Sequence, residues 1–195
     1  MDKIRIVQTG DAQDLLNIYA PFILNSGITQ EAEVPSLQDF QNRIKSTVTN
    51  FPWLVSAEGN VVTGYAYAAR HRERSGYRWC VETSVYIHSG FYGKKTATRL
   101  YKALLAILRC QNYVNAYAVI TLPNEPSVRF HEKFGFRHFA TYEKIGYKLG
   151  KWHDVGWWRL VINEHFENPA EPLPFSSLNP AEVKRILESA DILFS

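Results

Sequence analysis

Glu82 sits inside an otherwise apolar and small-polar run, "WCVETSVYI". Burial favours the neutral form of a carboxyl group, so a glutamate in such a strand is a candidate general base. Strand alternation puts Glu82, Ser84 and Tyr86 on one face and Val81, Thr83, Val85 and Ile87 on the other. The competing reading is a glutamate paired with an arginine on an exposed sheet face, and the residues by themselves favour it. A second candidate is His131 in "LPNEPSVRFHEKFGF", one turn into a short helix beside Phe130. A lone helical histidine is more often packed or solvated than catalytic. The sequence His-Glu-Lys-Phe lacks the second histidine of a zinc-protease helix. The six histidines show no ligand spacing, so no metal is expected. Asn124, between a buried strand and this helix, reads first as a helix cap.

Two further segments carry charge where chemistry could use it. In "RHRERSGYRW", Arg70, Arg72, Arg74 and Arg78 surround a Gly-Tyr turn. Guanidinium groups clamp carboxylate or phosphinate in bidentate fashion. A solvated basic loop is the alternative, but this loop leads directly into the strand of Glu82. The segment "SVYIHSGFYGKKTATRLYKALL" reads as strand, glycine-bearing turn and helix. Unpaired N–H groups at a helix start, with the helix dipole, favour an anion, and Lys94 and Lys95 add charge. A basic turn before a helix is the other reading. Neither a P-loop ending nor a dinucleotide fingerprint is present.

The elements that must position these groups follow from periodicity. "IRIVQT" alternates as a strand. Asp11 is placed to cap a helix in which Leu15, Ile18, Tyr19 and Phe22 share a face, with a kink expected at Pro21. A second helix starts near Ser36. A hairpin turns at Glu58-Gly59-Asn60. Ala97, Leu100, Tyr101, Leu104, Leu105 and Leu108 mark the stripe of the helix after the basic turn. "AYAVITL" reads as a central strand, Gly135 closes the short helix, and two aromatic-rich strands follow. Residues 163–195 hold four of the nine prolines and read as an extended strap ending in a helix with Val183, Ile186, Leu187 and Ala190 on one face. The order is strand, two helices, three strands, helix, strand, helix, two strands. That is an α+β, layered arrangement with helices on the faces of a sheet.

At 195 residues the chain suits one domain with a sizeable core. Its net charge of +3 is too small to argue for nucleic acid. No run reaches membrane-spanning length, and the N-terminus lacks a signal-peptide core, so no membrane partner is expected and a cytoplasmic location is. Cys80 and Cys110 read as reduced core residues.

Taken in order, "NIYAPFILNSGIT", "EVPSLQDFQNRI", "PWLVSAEGNVVTGYAYA", "YRWCVETSVYI", "LPNEPSVRFHEKFGF" and "GYKLGKWHDVGWW" resemble the GCN5-related N-acetyltransferase (GNAT) superfamily. The closer likeness is to phosphinothricin and methionine sulfoximine N-acetyltransferases. The resemblance implies a mixed, mostly antiparallel twisted sheet splayed between its fourth and fifth strands. It implies a GNAT domain over residues 1–162, with 163–195 as the added strap and helix. It implies acetyl-CoA as co-substrate and a small amine as acceptor, with a homodimer as the family's habit.

Carried over by residue, the resemblance places the pantetheine arm along the backbone of Val85, Tyr86 and Ile87, like an added strand. The amides of Gly93, Lys94, Lys95, Thr96, Ala97 and Thr98 hold the pyrophosphate, and Asn124 bonds the cofactor. Glu82 is the general base that frees the amine, and His131 stands where relatives have a tyrosine acid. Arg72, Arg74 and Tyr77, with Glu82, line the amino-acid pocket. Two departures stand out. The family's phosphate loop has Gln or Arg, Gly, then Gly or Ala at positions held here by Tyr92, Lys95 and Ala97. Lys95 either takes a positive φ at a cost on the order of 1 kcal/mol or lies in the first helical turn without cost; the stripe from Ala97 favours the second. Gln30 stands where an aromatic usually faces the substrate. Alternatives are a GNAT enzyme for another amine (a polyamine, an aminoglycoside or a protein N-terminus) and a non-catalytic acyl-CoA-binding module. The arginines argue against cationic amines.

Overall fold

A computed structural model describes residues 3–192. The described residues form a seven-stranded sheet. In chain order the elements are β1 (Lys3–Ile6), α1 (Ala12–Asn25), α2 (Leu37–Asn50), β2 (Trp53–Glu58), β3 (Val61–Arg70), β4 (Cys80–Ile87), α3 (Thr96–Cys110), β5 (Asn115–Leu122), α4 (Glu125–Lys133), β6 (Arg137–Lys148), β7 (Lys151–Val161) and α5 (Pro180–Ile192). This is the expected order. The strands lie β1-β2-β3-β4-β5-β7-β6, antiparallel throughout except for the parallel β4–β5 pair. The mixed, mostly antiparallel sheet with helices on both faces is therefore as the resemblance implied.

Both faces are buried, and the two-residue period of the strands sorts side chains between them. On β2, Trp53 and Val55 join Tyr65 of β3 in a core with Leu15, Tyr19, Phe40 and Ile44 of α1 and α2. Leu54 faces the other way and meets Ala66, Ala68, Val81, Leu100 and Leu104 under α3. Aromatic rings fill the first layer, with Trp53 stacked on Tyr67 at 4.4 Å and 20°. The α3 stripe is turned from its expected setting. Leu100, Tyr101, Leu104 and Leu108 are buried, but Ala103 and Ile107 share the core while Ala97 and Leu105 are only half-buried. The longer helix meets sheet on one side and α5 on another, which widens its apolar arc.

Asp11 precedes α1 as expected, yet its carboxylate does not cap that helix. It accepts from the backbone N–H of Gln8 at 2.7 Å and takes both guanidinium nitrogens of Arg5 at 2.7 Å. A short helical turn over Thr9–Asp11 precedes α1 and brings the carboxylate back toward β1. Helix α1 runs through Pro21 to Asn25 as one element. Ser36 caps α2 by accepting from the N–H of Asp39 at 3.1 Å.

The C-terminal segment packs on the rest of the chain. Val183, Leu187 and Ala190 of α5, with Phe175 of the strap, belong to the α3 side of the core. Arg78 Nε and Nη2 donate to the Glu171 carboxylate at 2.6 and 2.7 Å, and Trp79 Nε1 donates to the Ala170 carbonyl at 2.8 Å. The strap thus lies against the loop that enters β4.

Candidate active site

The sheet opens where β4 and β5 part. Their parallel pairing covers Cys80–Glu82 against Asn115–Tyr117 and then stops. Beyond it, β4 keeps only β3 as a neighbour and β5 keeps only β7. At the vertex the Thr83 hydroxyl donates to the Tyr117 carbonyl at 3.2 Å and meets Tyr101 Oη at 2.6 Å. A side chain thus adds a bond to a carbonyl of the last ladder pair. The resulting cleft is lined by Thr83 to Tyr86, by Ala118 to Thr121, and by Asn124, Ser127 and His131. Val119 is exposed there, although the apolar run around it suggested burial on both faces.

His131 is buried on α4, its ring edge-on to Tyr101 and Phe136. Its Nδ1 lies 2.8 Å from the Ser127 carbonyl oxygen, which can only accept, so Nδ1 carries the hydrogen. Nε2 is buried without a partner among the described residues. Burial pushes the pKa of the ring down, against the opposing pull of the Ser127 bond. The neutral ring therefore presents a lone pair at Nε2, not a proton. Asn124 does the capping: its Oδ1 accepts from the N–H of Ser127 at 3.3 Å, and Gly135, at φ 90°, closes the same helix.

The turn before α3 holds two left-handed residues, Gly93 at φ 79° and Lys95 at φ 62°. Lys95 occupies the N-cap position, so the expectation that it lies in a right-handed first turn is incorrect. The helix begins one residue later, at Thr96, and the strained residue is what turns the chain into it. A left-handed lysine costs about 1–2 kcal/mol relative to its relaxed form. Residues Phe91 to Thr98 and Ile87 line a hollow of about 280 Å³ at this helix start. Gly93, Lys94, Lys95, Thr96, Ala97 and Thr98 are thereby brought together at the end of the β4 edge that carries Val85, Tyr86 and Ile87.

Glu82 is half-exposed at the vertex, opposite Tyr117 in the last parallel pair. Its partner is not an arginine. His71 Nδ1 lies 2.9 Å from Glu82 Oε1. His71 follows the last residue of β3; its ring stacks on Tyr117 at 4.4 Å and 20°, edge-on to Trp157 at 5.7 Å. Sequence reasoning passed over His71. A histidine among four arginines reads as part of a basic loop, and the ring partners come from β5 and β7, far along the chain.

The basic loop divides. The Arg72 guanidinium lies over Trp157, 5.6 Å from its ring, on the same ring that borders His71. Arg74 and Tyr77 stand exposed on the loop. Arg70, Arg72, Arg74 and Arg78 line a second cleft between this loop and the strap, with Phe51 and Tyr113 as its apolar wall. Glu82 is not among the residues lining that cleft. On the opposite wall of the β4–β5 opening, Gln30 Nε2 donates to Thr121 Oγ1 and to the Gly27 carbonyl, each at 3.2 Å. Its amide packs against the Cα side of Gly146, where a Cβ would collide with it. Among the described residues, no three His, Cys, Asp or Glu side chains converge to hold a metal.

A family model described as an acetyltransferase (GNAT) domain matches residues 4–157. Phosphinothricin N-acetyltransferase of Streptomyces viridochromogenes is 35% identical over 172 residues, 88% of this chain and 92% of that protein. An L-methionine sulfoximine/L-methionine sulfone acetyltransferase of Salmonella typhimurium is 33% identical over 83% of this chain and 95% of its own length. Among solved structures, a putative acetyltransferase from Salmonella typhimurium with its cofactor acetyl-CoA superposes with a TM-score of 0.83 at 29% identity, covering 87% of this chain and 99% of that one. A phosphinothricin acetyltransferase from Sinorhizobium meliloti in complex with acetyl-CoA gives 0.81 at 26% identity, over 92% and 96%.

Proposed function

The chain belongs to the GNAT acetyltransferases, and from that premise we propose that it acetylates the amino group of a small amino acid or analogue. Phosphinothricin, methionine sulfoximine and methionine sulfone are the acceptor types, as the names of its relatives indicate. The single observation that carries the reading is Glu82 at the vertex of the β4–β5 opening, with one carboxylate oxygen already held.

The residues present fit acetyl-CoA. An amide-bearing arm needs a strand edge without a neighbour, and β4 beyond Glu82 offers one at Val85, Tyr86 and Ile87. A diphosphate needs clustered N–H groups and positive charge, and Gly93 to Thr98 bring both to the start of α3. The partnerless His131 Nε2 marks a polar contact still to be made in the cleft. Asn124 adds its amide nitrogen, since its oxygen serves the helix. When bound, acetyl-CoA supplies a thioester open to attack by an amine.

Proton handling then follows from this chain's own groups. Glu82 takes the proton of the acceptor ammonium, directly or through water. His131, neutral with its lone pair at Nε2, would take there the second proton that the acceptor nitrogen sheds after attack, and pass it to the departing thiolate. Arg72, Arg74 and Tyr77 receive the carboxylate or phosphinate end of the acceptor, and Gln30, in place of an aromatic, tunes which side chain fits. Cationic acceptors such as polyamines are disfavoured by those arginines.

In this reading the GNAT domain is residues 1–162 and 163–195 its added strap and helix, of which Phe175, Val183, Leu187 and Ala190 pack into the domain's core. The exposed aromatics of the last hairpin, Tyr147 and Trp152 among them, suit a homodimer contact. No described helix is long and apolar enough to cross a membrane.

The test is release of free thiol from acetyl-CoA across a panel of amines. Turnover with amino-acid analogues and none with polyamines supports the reading. Binding of acetyl-CoA without turnover of any amine would favour a binding module. Unchanged turnover in Glu82→Gln would remove Glu82 as the base.

A further inference from the structure

We propose that His71 is the positioning residue for Glu82, holding its Oε1 so that Oε2 is the oxygen offered to the acceptor ammonium. The inference rests on the reading of Glu82 as general base. Its geometry is independent of that reading. His71 Nδ1 and Glu82 Oε1 are 2.9 Å apart, and the imidazole is 13% exposed against 33% for the carboxylate. An ionised carboxylate has no proton to give, so Nδ1 is the donor and the tautomer is set. A carboxylate on a strand has two side-chain torsions beyond Cβ to fix, and one oriented hydrogen bond from a rigid ring removes most of that freedom.

The ring is itself rigid for reasons visible in the sheet. Tyr117 backs one face at 4.4 Å and nearly parallel, and Trp157 closes an edge at 5.7 Å and 80°. Tyr117 is the residue opposite Glu82 in the last parallel pair, and Trp157 lies opposite Val119 one step further on. The imidazole therefore spans β4, β5 and β7 at the point where the sheet parts. Its titratable and charged surroundings are Glu82 on β4, Tyr117 on β5, and Arg72 of its own loop, which lies over Trp157. Cys80 on β4 and Arg159 on β7 act on Tyr117. Only Glu82 among these is hydrogen-bonded to His71 Nδ1.

A residue that merely filled space here would be replaced by another flat ring without effect on chemistry. His71→Phe keeps both ring contacts and removes the donor. His71→Asn loses the ring contacts but keeps an N–H close to the place of Nδ1. Steady-state kinetics with acetyl-CoA and a reactive amino-acid analogue separate the roles. For His71→Phe, kcat falls by about 10-fold to 100-fold, the size expected when a reacting group loses its alignment. KM for acetyl-CoA stays as in the parent. His71→Asn recovers most of the lost kcat. In a Glu82→Gln background, His71→Phe has little further effect, since the group it positions is absent.

Two failures are distinguishable. If Glu82→Gln is inactive while folded His71→Phe keeps the parent's kcat, positioning by His71 is overturned and the base assignment stands. If Glu82→Gln turns over as the parent does, the base assignment fails and this inference with it. Should His71→Phe not fold, His71→Asn and His71→Ala decide: equal kcat in the two overturns the proposal.

Discussion

His131 Nδ1 is held at 2.8 Å by the carbonyl of Ser127, one turn earlier on the same helix, while its Nε2 is buried without a partner. The ring is consequently stable as a neutral acceptor and costly as a cation. Burial lowers its folded-state pKa from 6.5. Above pH 6.5 both folded and unfolded chains hold the neutral ring and nothing is lost. As pH drops below that value, the unfolded chain binds a proton that the folded chain refuses, so stability falls until the folded ring protonates too. Urea midpoints measured from pH 7.5 down to pH 5 should decline, and His131→Gln should flatten the decline. An equal decline in the variant would assign it to other groups.

Lys95 supplies a second expectation. Glycine at φ 62° releases about 1–2 kcal/mol of left-handed strain and loses about 0.5–1 kcal/mol through its looser unfolded chain. Lys95→Gly should therefore be more stable by about 0.5–1 kcal/mol, read as a small rise in melting temperature. Its acetyl-CoA affinity should be weaker than the parent's at low ionic strength. The two should converge as salt is added, because the lost term is a screened charge attraction. Equal affinities at low salt would mean that the lysine charge does not reach the phosphates.

These two residues also mark where sequence reasoning stopped. Alternation and turn chemistry carried the order of elements: the Glu58-Gly59-Asn60 hairpin, the Ser36 cap and the Gly135 terminus each depend on neighbours in the chain. Glu82 was legible because a carboxylate breaks an apolar strand. The φ of Lys95 was not, because an apolar stripe locates a helix but does not locate its first residue to within one position. Asp11 looked like a cap and instead served Arg5 and Gln8, a choice made by a contact across to β1. His71 was invisible for a topological reason. Its role depends on Tyr117 and Trp157, which reach it only after the parallel crossover and the final hairpin have formed.

The strap and α5 give a third expectation. Leu187 and Val183 are buried against the α3 side of the core. Leu187→Ala should destabilise the whole domain by about 2–4 kcal/mol, the range for a buried leucine truncated to alanine. A single cooperative transition with a lower midpoint is the expected result. A separate early transition that leaves the main one unmoved would show instead that residues 163–195 unfold on their own.

The last expectation concerns the vertex itself. Thr83 donates to the Tyr117 carbonyl and so accepts from Tyr101, whose hydroxyl is buried and whose pKa burial drives upward. The two ends of this pair are not equivalent. Tyr101→Phe removes a donor and leaves Thr83 still bonded to Tyr117, which should cost about 1 kcal/mol. Thr83→Val strands the buried Tyr101 hydroxyl, at about 1–3 kcal/mol, while the Tyr117 carbonyl keeps its place in the β4–β5 ladder. The double variant should be more stable than Thr83→Val alone, because it removes the stranded hydroxyl as well. Denaturant titration of the three variants checks the order, and the same proteins test the vertex as a hinge for the cleft. Loss of the Thr83 hydroxyl takes one β4 contact from Tyr117, whose ring backs His71, so turnover should fall more in Thr83→Val than in Tyr101→Phe. Equal stabilities for the two single variants would mean that the Tyr101 hydroxyl finds another partner when the Thr83 hydroxyl is gone.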